Sequence, residues 1–253
     1  MTVEKDTVIL HMFERARNCP NPSPYPIKLE TFMRMAGIKY EADFAKPMSA
    51  KGKSPWMTFN GEDVADSQLC IEHLQKHFGE KADLSRHLSA KERAEARAMR
   101  AVLEDHLYFC FVMEKWIFGK RSDILKNMAP LPGPGFLHNF ILGRVAGNLK
   151  KQCEGQGIGR HSPEQIRAMA KEDLKTISDY LGEKPFMMGD QPTEIDCVVF
   201  GFTTPIFYTV KEGDKDALLK YVEEECANLK AHNDRIKEKY YSDWEELKWK
   251  PKE

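Results

Sequence analysis

Three short segments near the front of the chain hold residue types that can do chemistry together. Ser23-Pro24-Tyr25-Pro26 stands where a strand hands over to a helix, Lys53-Ser54-Pro55 puts a proline at the start of an apolar run, and Asp66-Ser67 opens another helix. The first N–H groups of a helix lack intrahelical partners and the macrodipole is positive there, so two helix openings and a proline turn can cradle a small anionic ligand. Each segment also has a plainer use. Ser23 before a helical run serves as an N-cap, and one residue of Asp66-Ser67 is enough to cap the second helix. Lys53 in Lys51-Gly52-Lys53 reads as solvated, and X–Pro bonds are cis in only ~5–6 % of cases in folded proteins, so sequence alone makes Ser54–Pro55 trans.

The elements that must position these residues follow from periodicity. Val8–Phe13 is a short β-type run, Arg15–Pro22 a loop, and Ile27, Leu29, Phe32, Met33 and Ala36 give an amphipathic helix stopped by Gly37. Ile38–Phe44 reads as a second strand, and Trp56–Phe59, Asn60-Gly61 and Glu62–Ala65 form a hairpin. Asp66–Phe78 is a helix. Residues 1–80 thus make an α/β unit. After a polar linker, residues 88–253 read as all-helical. Ser89-Ala-Lys-Glu is a capping box that starts a helix running towards Ile117. Phe136–Cys153 is helical, the glycines at 155, 157 and 159 interrupt, and Ser162-Pro163 starts the next helix. Thr193-Glu194-Ile195-Asp196 starts a helix apolar on every side, which belongs at the centre of a bundle; loss of its capping Asp196 should cost ~0.5–2 kcal/mol. Lys215–Tyr240 reads as one charged amphipathic helix, and the aromatic tail after it either packs back over a groove or forms a partner patch.

Composition narrows the function. The 253 residues carry a net charge of −1, which gives no electrostatic case for nucleic acid. Six cysteines occur without a C-x-x-C pair or a zinc spacing, a usage suited to a reducing compartment. No stretch approaches the ~20 apolar residues of a transmembrane segment. A cytoplasmic protein is expected. His73 and His77 are one helical turn apart, yet no third ligand is near in sequence, and a solvated face is the reading. Gly155–Arg160 follows a helix, not a strand, so it is a connection and not a phosphate loop.

The order of these segments resembles the glutathione transferase fold, a thioredoxin-like domain followed by a helical bundle. Ser23 lies fourteen residues before Gly37, and Ser67 twelve after Pro55. The segments SPYPIKLETFMRMAGIKYE, SAKGKSPWMTFNGEDVADSQLCIEHL, GIGRHSPEQI and KPFMMGDQPTEIDCVVFG are similar to those of the failed-axon-connections group, relatives of the metaxins and of cadmium-responsive nematode proteins. The resemblance implies glutathione as cofactor. Pro55 would then be cis, with Ser54 pairing its backbone with the cysteinyl part. Asp66 and Ser67 would hold the γ-glutamyl group, and Lys53 would approach the glycyl carboxylate. Ser23, with Tyr25 as a second phenolic candidate, would stabilise the thiolate. Many relatives have cysteine where this chain has Pro26, which argues against thiol–disulfide exchange. A hydrophobic electrophile would lie between the domains against Tyr108, Phe111 and Trp116, with Arg97 and Arg100 in reach, and the fold usually forms a homodimer. The resemblance leaves three activities open: conjugation, a non-catalytic interaction module, and a glutathione-dependent lyase or isomerase.

Overall fold

The computed structural model describes residues 4–131, 134–208 and 217–251. Strand β1 (Val8–His11) lies at the centre of a four-stranded sheet. It pairs in parallel with β2 (Tyr40–Asp43) and antiparallel with β3 (Trp56–Phe59), and β4 (Glu62–Ala65) closes the far edge in the order β2-β1-β3-β4. The β3–β4 turn puts Asn60 and Gly61 at φ 49 and 87°, the left-handed pair that a two-residue hairpin requires. Helix α1 (Pro24–Ala36) ends on Gly37 at φ 63°, whose N–H reaches the carbonyls of Met33 and Arg34, and helix α2 (Ser67–Phe78) follows β4 directly. Leu29 and Phe32 from α1, Val8, Leu10 and Met57 from the sheet, and Ile71 and Leu74 from α2 form the core of this thioredoxin-like half.

The other half is helical. Helix α3 (Ala90–Ala101) starts at the Ser89–Glu92 capping box. The run then continues without a break through π-type turns at Val102–Leu107, helix α4 (Tyr108–Val112) and a second π-type stretch at Met113–Phe118. Sequence periodicity gave the length of this run but not its change of winding. Helices α5 (Arg121–Asn127), α6 (Gly135–Gln156) and α7 (Pro163–Leu181) follow. Helix α6 absorbs Gly155, expected to interrupt, and the chain turns only at Gly157, φ 116°. Helix α8 (Glu194–Tyr208) is buried on all sides, as its sequence requires. The expected fifth helix is two, α9 (Ala217–Glu225) and α10 (Ala227–Tyr240), separated at Cys226; Lys215, where it was expected to open, lies outside the described residues. A short α11 (Trp244–Leu247) completes the order. Among the described residues no helix is long and apolar enough to cross a membrane.

Asp196 does more than cap α8. Its fully buried carboxylate accepts from Thr193 N and Oγ1 (2.7 and 2.8 Å), from Met187 N (2.7 Å) and from His232 Nε2 (2.8 Å). It ties α10 and the loop before α8 to the bundle core.

The two halves meet along α1 and α8. Gly201 on α8 makes the approach possible, because a Cβ there would lie 2.8 Å from the Pro24 carbonyl and 3.1 Å from Lys28 N. Lys28, fully buried, sends Nζ to Gln68 Oε1 (2.7 Å) and Glu104 Oε1 (2.6 Å), joining α1, α2 and the helical half. The tail packs back on α1. Tyr241 OH meets Thr31 Oγ1 at 2.7 Å, Arg34 clamps Asp243 with two bonds of 2.6 and 2.7 Å, and Trp249 N donates to the Ala16 carbonyl.

Candidate functional site at the openings of two helices

Ser23 occupies the N-cap position of α1, with extended φ/ψ of −111 and 139°, yet its side chain caps nothing. The sequence explains this. A cap serine accepts from the N–H of the second or third helical residue, and the third here is Pro26, which has none. Pro24 likewise removes a donor. Ser23 N is taken by Asn21 Oδ1 at 3.0 Å, so Tyr25 N–H is the orphan donor left in the opening turn. The ordinary cap reading therefore gives way, and the Ser23 hydroxyl is uncommitted among the described residues.

Tyr25 has another destination for its proton. Its hydroxyl donates to the Glu104 carbonyl at 3.1 Å, and its ring meets Tyr108 and Phe202 edge-on at 5.0 and 5.6 Å. Burial, with the Tyr108, Glu104, Asp105 and Asp66 charges adding, holds the phenol well above its usual range. A phenol that donates to a carbonyl has no second proton for a sulfur. Tyr25 is a tie between the domains, and Ser23 is left as the hydroxyl donor of the segment.

The Ser54–Pro55 bond is cis, the isomer the resemblance implies. Ser54 Oγ is buried without a hydrogen-bond partner. Among the described residues neither Ser54 N–H nor its C=O is paired with another backbone group. Buried hydroxyls are nearly always partnered, so this one calls for an explanation. Beside it, Lys53 Nζ lies 3.5 Å from Asp66 Oδ2. Asp66 sits at φ 92°, a region that L-residues avoid at a cost of ~1–3 kcal/mol, and accepts from Gln68 N at 3.0 Å. The cap is therefore Asp66, which leaves Ser67, 4 % exposed, at the first position of α2. Lys28 on α1 donates to Gln68 in the first turn of α2 at 2.7 Å, which links this turn to the opening of α1.

Tyr108 borders the site through Tyr25, whereas Phe111 and Trp116 pack, partly buried, against the core of the helical half. A cavity of about 580 Å³ opens on the other side of Gln68, between α2, α3 and α8. Arg97 and Arg100 line this neighbouring cleft, and Arg100 pairs with Glu194 at 3.5 Å. His73 and His77 face different carboxylates, Glu62 and Asp6. Lys28, Gln68 and Glu104 hold the two helix openings in register and went unnoticed in the sequence; a lysine on the otherwise buried face of α1 was the available signal.

The family model described as the glutathione S-transferase N-terminal domain matches residues 24–122, and that of the C-terminal domain residues 170–236. The chain belongs to the glutathione S-transferase-like family. It is similar to Failed axon connections of Drosophila melanogaster, 35 % identical over 96 % of this chain, and spans 60 % of that protein's length. It is 28 % identical to isoprene-epoxide glutathione S-transferase of Rhodococcus sp. over 76 % of this chain and 84 % of that protein. Metaxin-2 of Mus musculus is 24 % identical over 86 % of this chain and 82 % of its own. Among solved structures, the β-etherase LigF of Sphingobium sp. superposes with a TM-score of 0.65 at 16 % identity, covering 91 % of this chain and 94 % of that one. A glutathione S-transferase of Methylobacterium radiotolerans in complex with glutathione sulfonate gives 0.61 at 15 %, covering 98 and 97 %. These likenesses establish the glutathione S-transferase fold.

Proposed function

We propose that the chain binds glutathione through Ser54, Asp66 and Ser67, and that the Ser23 hydroxyl holds its sulfur as the thiolate for attack on a hydrophobic electrophile. The observation that carries the reading is Ser54, with its buried, unpartnered hydroxyl and with a backbone N–H and C=O that pair with no other backbone group among the described residues. An extended peptide pairing with those backbone groups would complete them. The Asp66 carboxylate suits the α-ammonium of the γ-glutamyl group, and Ser67 its carboxylate. Lys53, 60 % exposed, can turn from Asp66 to the glycyl carboxylate. A free thiol has a pKa of about 8.5, so a hydroxyl hydrogen bond that favours S⁻ raises the reactive fraction at neutral pH. The thiol proton passes to water, sulfur bonds to the electrophilic carbon, and the bond from that carbon to its leaving group breaks. A relative named for an isoprene epoxide supports an electrophile of this kind.

One observation favours a second reading, a non-catalytic module that binds through the same fold. Pro24 and Pro26 strip the opening turn of α1 of two donors, and Tyr25 spends its proton on Glu104. The sulfur then has little beyond Ser23 to stabilise it, and the similarity to Failed axon connections and Metaxin-2 fits that outcome. Calorimetry with glutathione, followed by turnover of a general electrophile, separates the two. Saturable heat with turnover that falls roughly 10–100-fold at neutral pH in Ser23→Ala is the result expected of the enzyme. Saturable heat without turnover supports a non-catalytic module that keeps the glutathione site, and no heat removes the enzyme and leaves an interaction module that does not use glutathione.

A further inference from the structure

In the helical half, His106, Cys110 and Asp173 bring their ligand atoms within 4.8 Å of one another. His106 and Cys110 are four residues apart on the run from α3 to α4, so they share a face, and Asp173 comes from α7. His106 lies within a stretch of π-type turns, Val102–Leu107, a winding found often at functional sites. We propose that this trio is a site for a divalent transition-metal ion, zinc in the first instance.

The donor set is imidazole, thiolate and carboxylate, which suits the borderline-soft Zn²⁺ in tetrahedral coordination with water at the fourth position. The charges fit. Among the described residues Asp173 has His106 as its ion-pair partner, at 2.6 Å. One helical turn further on, Glu114 is already matched by Arg167 at 2.7 Å. On binding, the Cys110 thiol releases its proton to water, Asp173 enters as carboxylate and His106 as neutral imidazole. The two ligand charges then balance the ion. Access fits as well: Cys110 is fully buried and forms the floor, while the His106 side chain is 41 % exposed at the rim. In the structure described, the His106 Nδ1 to Asp173 Oδ2 contact is a hydrogen bond of 2.6 Å. If Nδ1 is the ligand atom, the contact must widen by about 0.7 Å to span an edge of a tetrahedron with ~2.0–2.1 Å bonds, which a rotation of either side chain supplies. The bland alternative is a hydrogen-bonded tie between α7 and the long helical run, with Cys110 as a bystander.

Cobalt(II) is the probe. The full chain, reduced and freed of metal by a chelator, is titrated with Co²⁺ while thiolate-to-cobalt charge transfer is followed in the near ultraviolet. The site predicts a band that saturates at one cobalt per chain and is abolished by one equivalent of Zn²⁺. Cys110→Ser removes the band, whereas Cys153→Ser keeps it. His106→Gln, at a half-exposed position, and Asp173→Asn each weaken Co²⁺ binding by at least the ~10–100-fold that changes beyond the ligands themselves produce. Absence of a saturating band overturns the site, as does a band that persists in Cys110→Ser or wild-type affinity in both His106→Gln and Asp173→Asn.

Discussion

Gly201→Ala tests how the helical half sets the opening of α1. The new Cβ would stand 2.8 Å from the Pro24 carbonyl, short of ordinary contact at 3.4 Å by about 0.6 Å. Both Pro24 O and Lys28 N are backbone atoms, so no side-chain rotation relieves the clash, and the first turn of α1 has to move. Overpacking against fixed atoms costs ~3 kcal/mol, the upper end of its usual range. Replacing a mid-helix glycine returns ~1 kcal/mol of helix propensity, for a net loss of ~2 kcal/mol. In a chain of this size that corresponds to a fall of roughly 4–8 °C in Tm. The same movement displaces Ser23 and Tyr25, so glutathione affinity should fall in the variant even below its melting range. Gly147→Ala on α6 is the control, because its Cβ would meet nothing within 4 Å, and it should hold or raise Tm. Differential scanning calorimetry of the three proteins decides. A Gly201→Ala variant melting at or above wild type would refute the argument that α1 is seated by backbone contact with α8.

Further outcomes follow from the site and its supports. Removing the Ser23 hydroxyl costs a charge-assisted hydrogen bond of ~1.5–3 kcal/mol, or ~1–2 pKa units at the thiol. Ser23→Ala should therefore move the pH–rate profile of conjugation up by that amount while glutathione affinity holds; an unmoved profile removes Ser23 from the chemistry. Asp196→Asn replaces an accepting oxygen with an NH2 donor that faces buried donors and should cost about 3–5 kcal/mol in urea unfolding, above the ~0.5–2 kcal/mol of a simple cap; a loss within the cap range would mean that the links to Met187 and His232 contribute nothing. The hydrogen bonds from Arg34 hold the Asp243 carboxyl below its ordinary 3.8. Its folded pKa is depressed, so its contribution to stability is present above 3.8 and is lost as pH falls below that value. Acid should loosen the tail, read by Trp244 fluorescence, and Asp243→Asn should flatten that pH dependence; an identical acid transition in the variant would place its origin elsewhere.

Much of the fold was legible because local signals agreed. Asn60-Gly61 fixed the hairpin, Gly37 and the Ser89 and Ser162 boxes fixed helix ends, and the all-round apolar face of α8 fixed the centre of the bundle. The winding of residues 102–118 and the break at Cys226 were not legible, because neither carries a proline or glycine and both are imposed by packing. At the candidate site, the family resemblance singled out Ser54, Asp66 and Ser67, and the cis Ser54–Pro55 bond it implies is present. The fate of Tyr25 could not be read, since its partner is a backbone carbonyl 79 residues away in the other half of the chain. Sequence overvalued the first turn of α1 as an anion cradle, although the two prolines that empty it were in plain view. The trio of His106, Cys110 and Asp173 lies in no motif, because its third member is separated by 67 residues from the first.

The central claim is that a tripeptide thiol completes the unpartnered groups of Ser54. A crystal of the full chain grown with glutathione tests it most directly. The account predicts the cysteinyl main chain paired with Ser54 N–H and C=O, the γ-glutamyl end on Asp66 and Ser67, and the sulfur within hydrogen-bond reach of Ser23 Oγ. Glutathione absent from that turn at saturating concentration, or seated in the cleft of Arg97 and Arg100 with Ser54 still unpartnered, would contradict it.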